Sequence, residues 1–281
     1  MKILGVTDYQ INNSTTFGVN LNSKKLQFCE DDFYVRIRGY GRNPNWAKKI
    51  KETADNAVKY IRAKCNIEET LKRITAGITE ANQLPIDLDK RQHSGILRTK
   101  REGWRSGSDW DNCGIITRYG KDKNNKYNSY YDKFEYVFLH PLNNPYSDIS
   151  LTRPRHDAHY LGKYLDHADS KYINNAFGHI EKIYNDLYSK YILQEAKKED
   201  LPEINSSIAE MRWILAHTTP WERGSDAISN TFIRALYKSM GIKTSRLEKG
   251  ISLDLEAYCT NLNDYKKNFA DYFSRKPYLV E

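Results

Sequence analysis

Apolar residues recur at every third or fourth position along several stretches of this chain, and the faces they trace predict most of its architecture. Trp46, Ile50, Ala54, Val58 and Ile61 predict an amphipathic helix over roughly 46–64, and a second helix is expected near 67–82. Ile173, Phe177, Ile180, Tyr184, Leu187 and Tyr191 line one side of a long helix. Ile204, Ile208, Met211 and Leu215 predict another, opening near Pro202, a residue tolerated in a first helical turn. Ile228, Phe232, Leu236 and Met240 predict a third in this half, starting after Ser225-Asp226 and closing at Gly241, a suitable left-handed stop. Elsewhere the period shortens. Phe33-Tyr34-Val35-Arg36-Ile37-Arg38 alternates as a strand does, while Ile115-Ile116 and Phe134–Leu139 read as buried strand pieces in a broken stretch over about 85–160. The predicted fold class is therefore mainly α, with an α+β lobe over 1–160 as candidate acceptor-recognition region and a helical core over 161–281. Without a repeat or low-complexity linker, the two should form one compact unit.

Composition narrows the possibilities without choosing among them. The 281 residues carry 44 Lys+Arg against 36 Asp+Glu, a formal charge of +8, with 39% hydrophobic and 12% aromatic residues. That excludes collagen-like, coiled-coil and wholly disordered chains. The 21 tyrosines add rings that bury while their hydroxyls stay hydrated. No run approaches the ~18–20 apolar residues of a membrane span. The start lacks the apolar centre of a secretory signal, and Lys2 stands where myristoylation needs glycine. Its Asn, Ser and Thr content suits a specialised secretion system and an ordinary terminus equally. Cys29, Cys65, Cys113 and Cys259 are scattered with no Cys-x-x-Cys pair, which reads as buried free thiols in a reducing compartment. No carboxylates or histidines cluster at ligand spacing, so no metal is expected.

Two segments are basic and aromatic together. Arg98, Lys100, Arg101, Trp104 and Arg105 form one; Arg118, Lys121, Lys123 and Lys126, interleaved with Tyr119, Tyr127, Tyr130 and Tyr131, form the other. Cations track phosphates and rings stack bases, which makes DNA or RNA a candidate acceptor, with a solvated lobe as the alternative. The net positive charge suits an acidic protein partner as well.

The most informative stretch runs from Ile208 to Ile228: a helix, a turn carrying Pro220, Arg223 and Gly224, and a new helix start at Ser225. Unpaired N–H groups and the positive helix end favour an anion at such a junction, and arginine adds a planar fork matched to phosphate oxygens. Gly224 permits close backbone approach to a ligand, and Ser225 either touches a ligand or caps the helix. Asp254, ahead of Leu255-Glu256-Ala257-Tyr258, reads either as a site carboxylate or as an N-cap, and His167 as a site imidazole or a structural one. His217 lies two positions before Thr219; packing is its simpler role, as it is for Trp213 and Trp221, which are also candidates for stacking on a base.

This junction resembles the core of the Fic/Doc (Fido) superfamily, whose motif reads His-Pro-Phe-x-Asp/Glu-Gly-Asn-Gly-Arg between two helices. Pro220-Trp221 falls at the Pro-Phe, Gly224 at the first motif glycine, and Thr219 at the catalytic histidine; Ser225-Asp226-Ala227 replaces the closing Asn-Gly-Arg. The departure removes the general base of AMP transfer. The chain is more similar to the AvrB avirulence effectors, a divergent branch of that superfamily. Arg223-Gly224-Ser225, the stretch from Lys249-Gly250 through Asp254 to Glu256-Ala257, and Asp166-His167 before a long helix carry this resemblance over about 165–275.

The resemblance implies a Fido-type helical core and a nucleotide-diphosphate pocket. It further implies a glycosyltransferase that moves a sugar, such as the deoxyhexose rhamnose, from a nucleotide-sugar to a hydroxyl on a protein or nucleic acid. On that reading Arg223, Gly224, Ser225 and Thr219 hold the donor, while Asp254 and His167 serve as base or orienting groups, with no metal. The alternatives are a nucleotidyltransferase with an altered motif and a non-catalytic effector module that binds a nucleotide or a partner. The resemblance also implies action in a cytoplasm, reached through a specialised secretion system.

Overall fold

The computed structural model describes residues 21–34, 43–82, 93–99, 105–107, 136–157 and 162–280, of which 105–107, 154–157 and 162–164 are described by their main chain alone. These residues are mainly helical. Helix α1 (Pro44–Arg62) starts at Asn43, whose side chain accepts the Trp46 amide, with Pro44 in the first turn. Helix α2 (Ile67–Asn82) runs back against it. The predicted spacing holds for α1, where Ile50, Ala54, Val58 and Ile61 are buried and Trp46 is half-buried, and the expected second helix forms with Ile74, Ile78 and Ala81 buried.

A three-stranded antiparallel sheet, in the order β1–β3–β2, joins β1 (Arg105–Gly107), β2 (Arg153–Asp157) and β3 (Gly162–Asp166). Its register pairs Arg153 and Arg105 with Asp166 on either side. β3 leads through His167 into α3 (Ile173–Leu187), which widens over Tyr188–Ile192 into a turn where the Leu193 amide reaches the Tyr188 carbonyl. Helices α4 (Leu201–Thr218) and α5 (Ser225–Ser239) form the centre. From Met211 to Thr218 every residue of α4 is buried, because α3, α5 and two shorter helices surround it. These are α6 (Leu253–Tyr258) and α7 (Leu262–Asn268). An all-round buried helix must be apolar all round or pair its polar groups. Here Trp213 donates to the Thr260 carbonyl at 3.0 Å, and Arg212 finds partners described below. Helix α5 packs on α1 and α2 with its other side, so one apolar core takes in residues from both halves of the chain. Gly241 closes α5 with φ +76°, the stop its position predicts, and β4 (Ile242–Lys243) pairs with β5 (Tyr278–Leu279) at the C-terminal end.

Several expectations are corrected. Residues 136–139 form a helical turn, not a strand, with Val137 buried and Leu139 69% exposed; a four-residue apolar run has no period long enough to distinguish the two. Residues 21–34 hold short 3₁₀ turns at Lys24–Leu26 and Glu30–Phe33, which includes the start of the expected 33–38 strand. Cys29 is exposed and Cys65 half-buried, so of the described cysteines only Cys259 fits the expected buried free thiol. The remainder of the 33–38 strand, Ile115-Ile116, Cys113, and the basic and aromatic residues Lys100, Arg101, Trp104, Arg118, Tyr119, Lys121, Lys123, Lys126, Tyr127, Tyr130 and Tyr131 lie outside the described residues. No described helix is long and apolar enough to cross a membrane.

Candidate functional site

The loop joining α4 to α5 is held on both sides. Helix α4 ends at Thr219, whose main chain is left-handed (φ +43°, ψ +64°), a region β-branched residues rarely enter. Its N–H donates to the Leu215 carbonyl at 3.0 Å and its hydroxyl to the Ala216 carbonyl at 2.7 Å. Beyond it, residues 93–98 run alongside 220–223, pairing antiparallel at Leu97–Trp221 and parallel at Ser94–Arg223. The Arg98 amide donates to the Pro220 carbonyl at 2.9 Å, the Glu222 amide to Ile96 at 2.8 Å, and the Arg223 amide to His93 at 3.1 Å; the Gly95 amide returns to the Arg223 carbonyl at 3.0 Å. This segment rests on α2, where Thr79 donates to the Ser94 carbonyl and Asn82 to its hydroxyl. The backbone of Arg223 is thus fixed while its side chain is exposed.

Gly224 has φ +90°, and a Cβ there would meet its nearest neighbour, Ile78, only at 3.5 Å. The glycine therefore answers a backbone requirement rather than crowding. Ser225 does not cap α5. Its hydroxyl donates to the Trp221 carbonyl at 3.0 Å and accepts the Trp221 amide at 3.1 Å, pinning the turn. Among the described residues no side chain caps the start of α5, so its first N–H groups and the positive end of the helix lie beside Arg223.

At the foot of this loop sits His167, buried, with Nδ1 at 3.0 Å from the Thr152 hydroxyl and 3.1 Å from that of Thr219. Burial, then the nearby Arg98 cation and His217, push its pKa down to about 3. Tyr258 brings its hydroxyl to 3.5 Å from Thr219 Oγ1, and its ring lies between those of His167 and His217, at 5.9 and 5.6 Å. Burial and then the Asp254 carboxylate raise the Tyr258 phenol far above its usual range, so it stays protonated. Asp254 lies in the first turn of α6, behind the Ser252 N-cap, and is therefore not itself the cap. It accepts from the Ser252 hydroxyl and, at 2.8 Å, from the Leu255 amide.

Arg98, Thr152, Arg212 and Asp226, none of them read from the sequence as site residues, complete the corner. Arg98, expected on a basic surface patch, is buried. Its guanidinium donates to the carbonyls of Thr219 at 2.6 Å, Thr218 at 2.7 Å and Ala168 at 2.8 Å, closing the C-terminus of α4. Thr152 ties His167 to α4. Arg212, fully buried, donates from Nε to Asn230 at 3.0 Å and from Nη2 to Asp226, which also accepts from Asn230 at 2.9 Å. Burial works against the Arg212 cation, but Asp226 foremost, with Asp254 further out, holds its pKa above the ordinary value. Burial and Asp254 likewise raise Asp226 against the pull of Arg212. The sequence signal for this cluster was a charged residue inside an apolar helix face, which marks a paired group without naming its partner.

The structure thus places His167 in contact with Thr219, and brings Tyr258, acted on by Asp254, to that contact. Arg223, Gly224 and Ser225 follow in the same loop, with the Ser225 hydroxyl turned to Trp221. His217 is packed: its Nε2–H donates to the Ala257 carbonyl at 3.1 Å, and Nδ1 is buried without a partner. Trp213 is core, and Trp221 is buried against Phe177. Among the described residues no three His, Cys, Asp or Glu side chains converge as a metal site requires.

Residues 135–276 match the model of a family described as avirulence protein, AvrB_AvrC. No curated protein matches the chain.

Proposed function

The chain belongs to the AvrB_AvrC avirulence protein family, and from that premise we propose that it is an effector delivered into host cells, where it acts as a Fido-type glycosyltransferase. The reaction passes a sugar from a nucleotide-sugar to a hydroxyl of a macromolecular acceptor. The bond from the anomeric carbon to the diphosphate breaks, a bond to the acceptor oxygen forms, and the acceptor proton passes to Asp254. The observation that carries the reading is the corner itself: an exposed arginine and an uncapped helix start stand on the loop whose foot is the His167–Thr219 contact.

A departing nucleoside diphosphate gathers negative charge, so donors fixed at that helix start, with Arg223, stabilise the transition state more than the bound donor. Their backbone is fixed by the 93–98 segment before any ligand arrives, which lowers the reorganisation required. Nucleotidyl transfer to a hydroxyl is less favoured, because a threonine stands where that chemistry places its histidine, and His217 nearby is turned to the Ala257 carbonyl. A protein acceptor is favoured over nucleic acid in one respect: Arg98 is committed to main-chain carbonyls and cannot contribute to a phosphate-tracking surface.

Thermal-shift screening of nucleotide-sugars and plain nucleotides tests the donor site. A ligand at one hundred times its Kd stabilises by about 2.7 kcal/mol, and Arg223→Ala should abolish the shift. If no member of the panel raises the Tm, the donor assignment is wrong. Mass spectrometry of an acceptor from host extract separates the chemistries: a sugar-sized adduct, lost in Asp254→Ala, supports transfer, whereas a nucleotide-sized adduct replaces the proposal with nucleotidyl transfer. A biological effect that survives both variants identifies a binding module instead.

A further inference from the structure

The start of α5, where the diphosphate of a donor is proposed to rest, already holds a carboxylate. Asp226 is the second residue of that helix, and its side chain is 35% exposed. Helical side chains lean toward the N-terminus, so this carboxylate stands level with the first N–H groups. It accepts from Arg212 of α4 and, at 2.9 Å, from Asn230 one turn along its own helix. From α6, Asp254 and the Tyr258 phenol act on it, and from α7 the Tyr265 phenol. Burial holds both phenols protonated, and Tyr265 donates to the Leu253 carbonyl at 3.0 Å. Among the described residues Asp254 accepts only from the Ser252 hydroxyl and the Leu255 amide, neither of them a cation. Two carboxylates therefore share one guanidinium, and a negative charge is left over beside the helix start. The resistance of Asp226 to ionisation, caused by burial and then by Asp254, agrees with that surplus.

We infer that Asp226, together with Asp254, sets a charge preference at this site, disfavouring a free nucleoside diphosphate relative to the nucleotide-sugar it comes from. In a nucleotide-sugar both phosphates are esterified, and each holds a single negative charge. When the bond from the anomeric carbon to the phosphate oxygen breaks, that oxygen keeps the electron pair. The terminal phosphate then becomes dianionic near neutrality, because its second pKa is about 6. The helix-start N–H groups and Arg223 favour this charge as it develops. A negative charge fixed at the same helix start limits how tightly the finished product is kept. Asp226 is thus a specificity-determining residue: it holds Arg212 and Asn230 and touches no reacting atom. The inference rests on the glycosyltransferase reading, which supplies the two compounds to be told apart.

Isothermal titration of the full chain with UDP-rhamnose and with UDP tests it through the ratio of the two Kd values, at pH 8 so that Asp226 is ionised. Asp226→Asn keeps the side chain's shape and an acceptor oxygen for Arg212 while removing the charge. It should tighten UDP relative to UDP-rhamnose by about threefold to tenfold, the larger change being about 1.4 kcal/mol. Asp254→Asn leaves the Arg212–Asp226 pair whole, so it keeps the test open should Asp226→Asn fail to fold. It too removes one of the two carboxylates and should move the ratio in the same direction. A ratio that stays put in a folded variant, or an equal loss for both compounds, marks the cluster as purely structural and overturns the inference. If the wild-type chain binds neither compound, the donor reading itself fails and the preference falls with it.

Discussion

Replacing Arg98 with alanine removes a buried cation that closes α4 and holds the His167 corner together. Three main-chain carbonyls, those of Thr218, Thr219 and Ala168, lose a charged donor at 2.6–2.8 Å. A hydrogen bond to a charged group contributes about 1.5–3 kcal/mol, but three on one guanidinium do not add in full. The loss should resemble that of breaking a buried ionic contact, about 3–5 kcal/mol, which is a large part of the ~5–15 kcal/mol of a typical domain. Arg98→Lys keeps a positive charge at the negative end of α4, worth about 1–2 kcal/mol. It cannot span three carbonyls as a planar fork does, so it should recover less than half of the loss. Urea unfolding followed by tryptophan fluorescence reads both variants. With an m-value of about 3 kcal/mol/M, Arg98→Ala should lower the midpoint by more than about 1 M. A loss under about 1 kcal/mol, equal for alanine and lysine, would refute the view that this guanidinium is an internal cap.

Gly224→Ala should cost about 1–2 kcal/mol, the penalty of a left-handed backbone, because the added methyl meets no neighbour closer than 3.5 Å; an unchanged urea midpoint would show that the turn relaxes freely. Acid should weaken the fold through His167 and His217, both held near pKa 3 against an ordinary 6.5. Depressed folded-state values mean that unfolding takes up protons between those limits, so stability falls as pH drops through them, by about 1.4 kcal/mol per pH unit for each ring. Asp226, raised in the fold, works in the opposite sense, so the comparison is made by difference: His217→Gln should flatten the plot of urea midpoint against pH between 6 and 4, and an unaltered slope would mean that this ring is not buried neutral.

The helices were readable because each buries a stripe, and a stripe is a local property. Trp46 to Ile61, Ile173 to Tyr191, and Ile228 to Met240 each lie within a few residues of the helices they predicted. The site was readable in part. Arg223-Gly224 and the helix after it are contiguous, whereas the partners that give them shape come from elsewhere. Arg98 looked like the first member of a surface patch because nothing in its neighbourhood reveals the two carbonyls at the far end of α4 and the third, of Ala168, that it meets. Ser225 occupies a capping position by sequence, yet its hydroxyl is taken by Trp221. Asp254 has the sequence context of an N-cap, but the helix begins two residues earlier than that cap would set it, at Leu253, with Ser252 in the capping position. Thr152 had no signal at all: a lone threonine in a polar stretch becomes informative only once His167 is seen against it.

The meshing of residues 93–98 with 220–223 has a consequence for anyone transplanting this corner. The contact is made at two separate bridges, Leu97–Trp221 and Ser94–Arg223, with the left-handed Gly95 between them, so adding or deleting one residue in either strip would break one bridge and loosen the backbone that carries Arg223. A peptide cut from the α4–α5 hairpin would carry every letter of the motif and still lack the template that aims its arginine, because half of that address is spelled out far upstream in the chain.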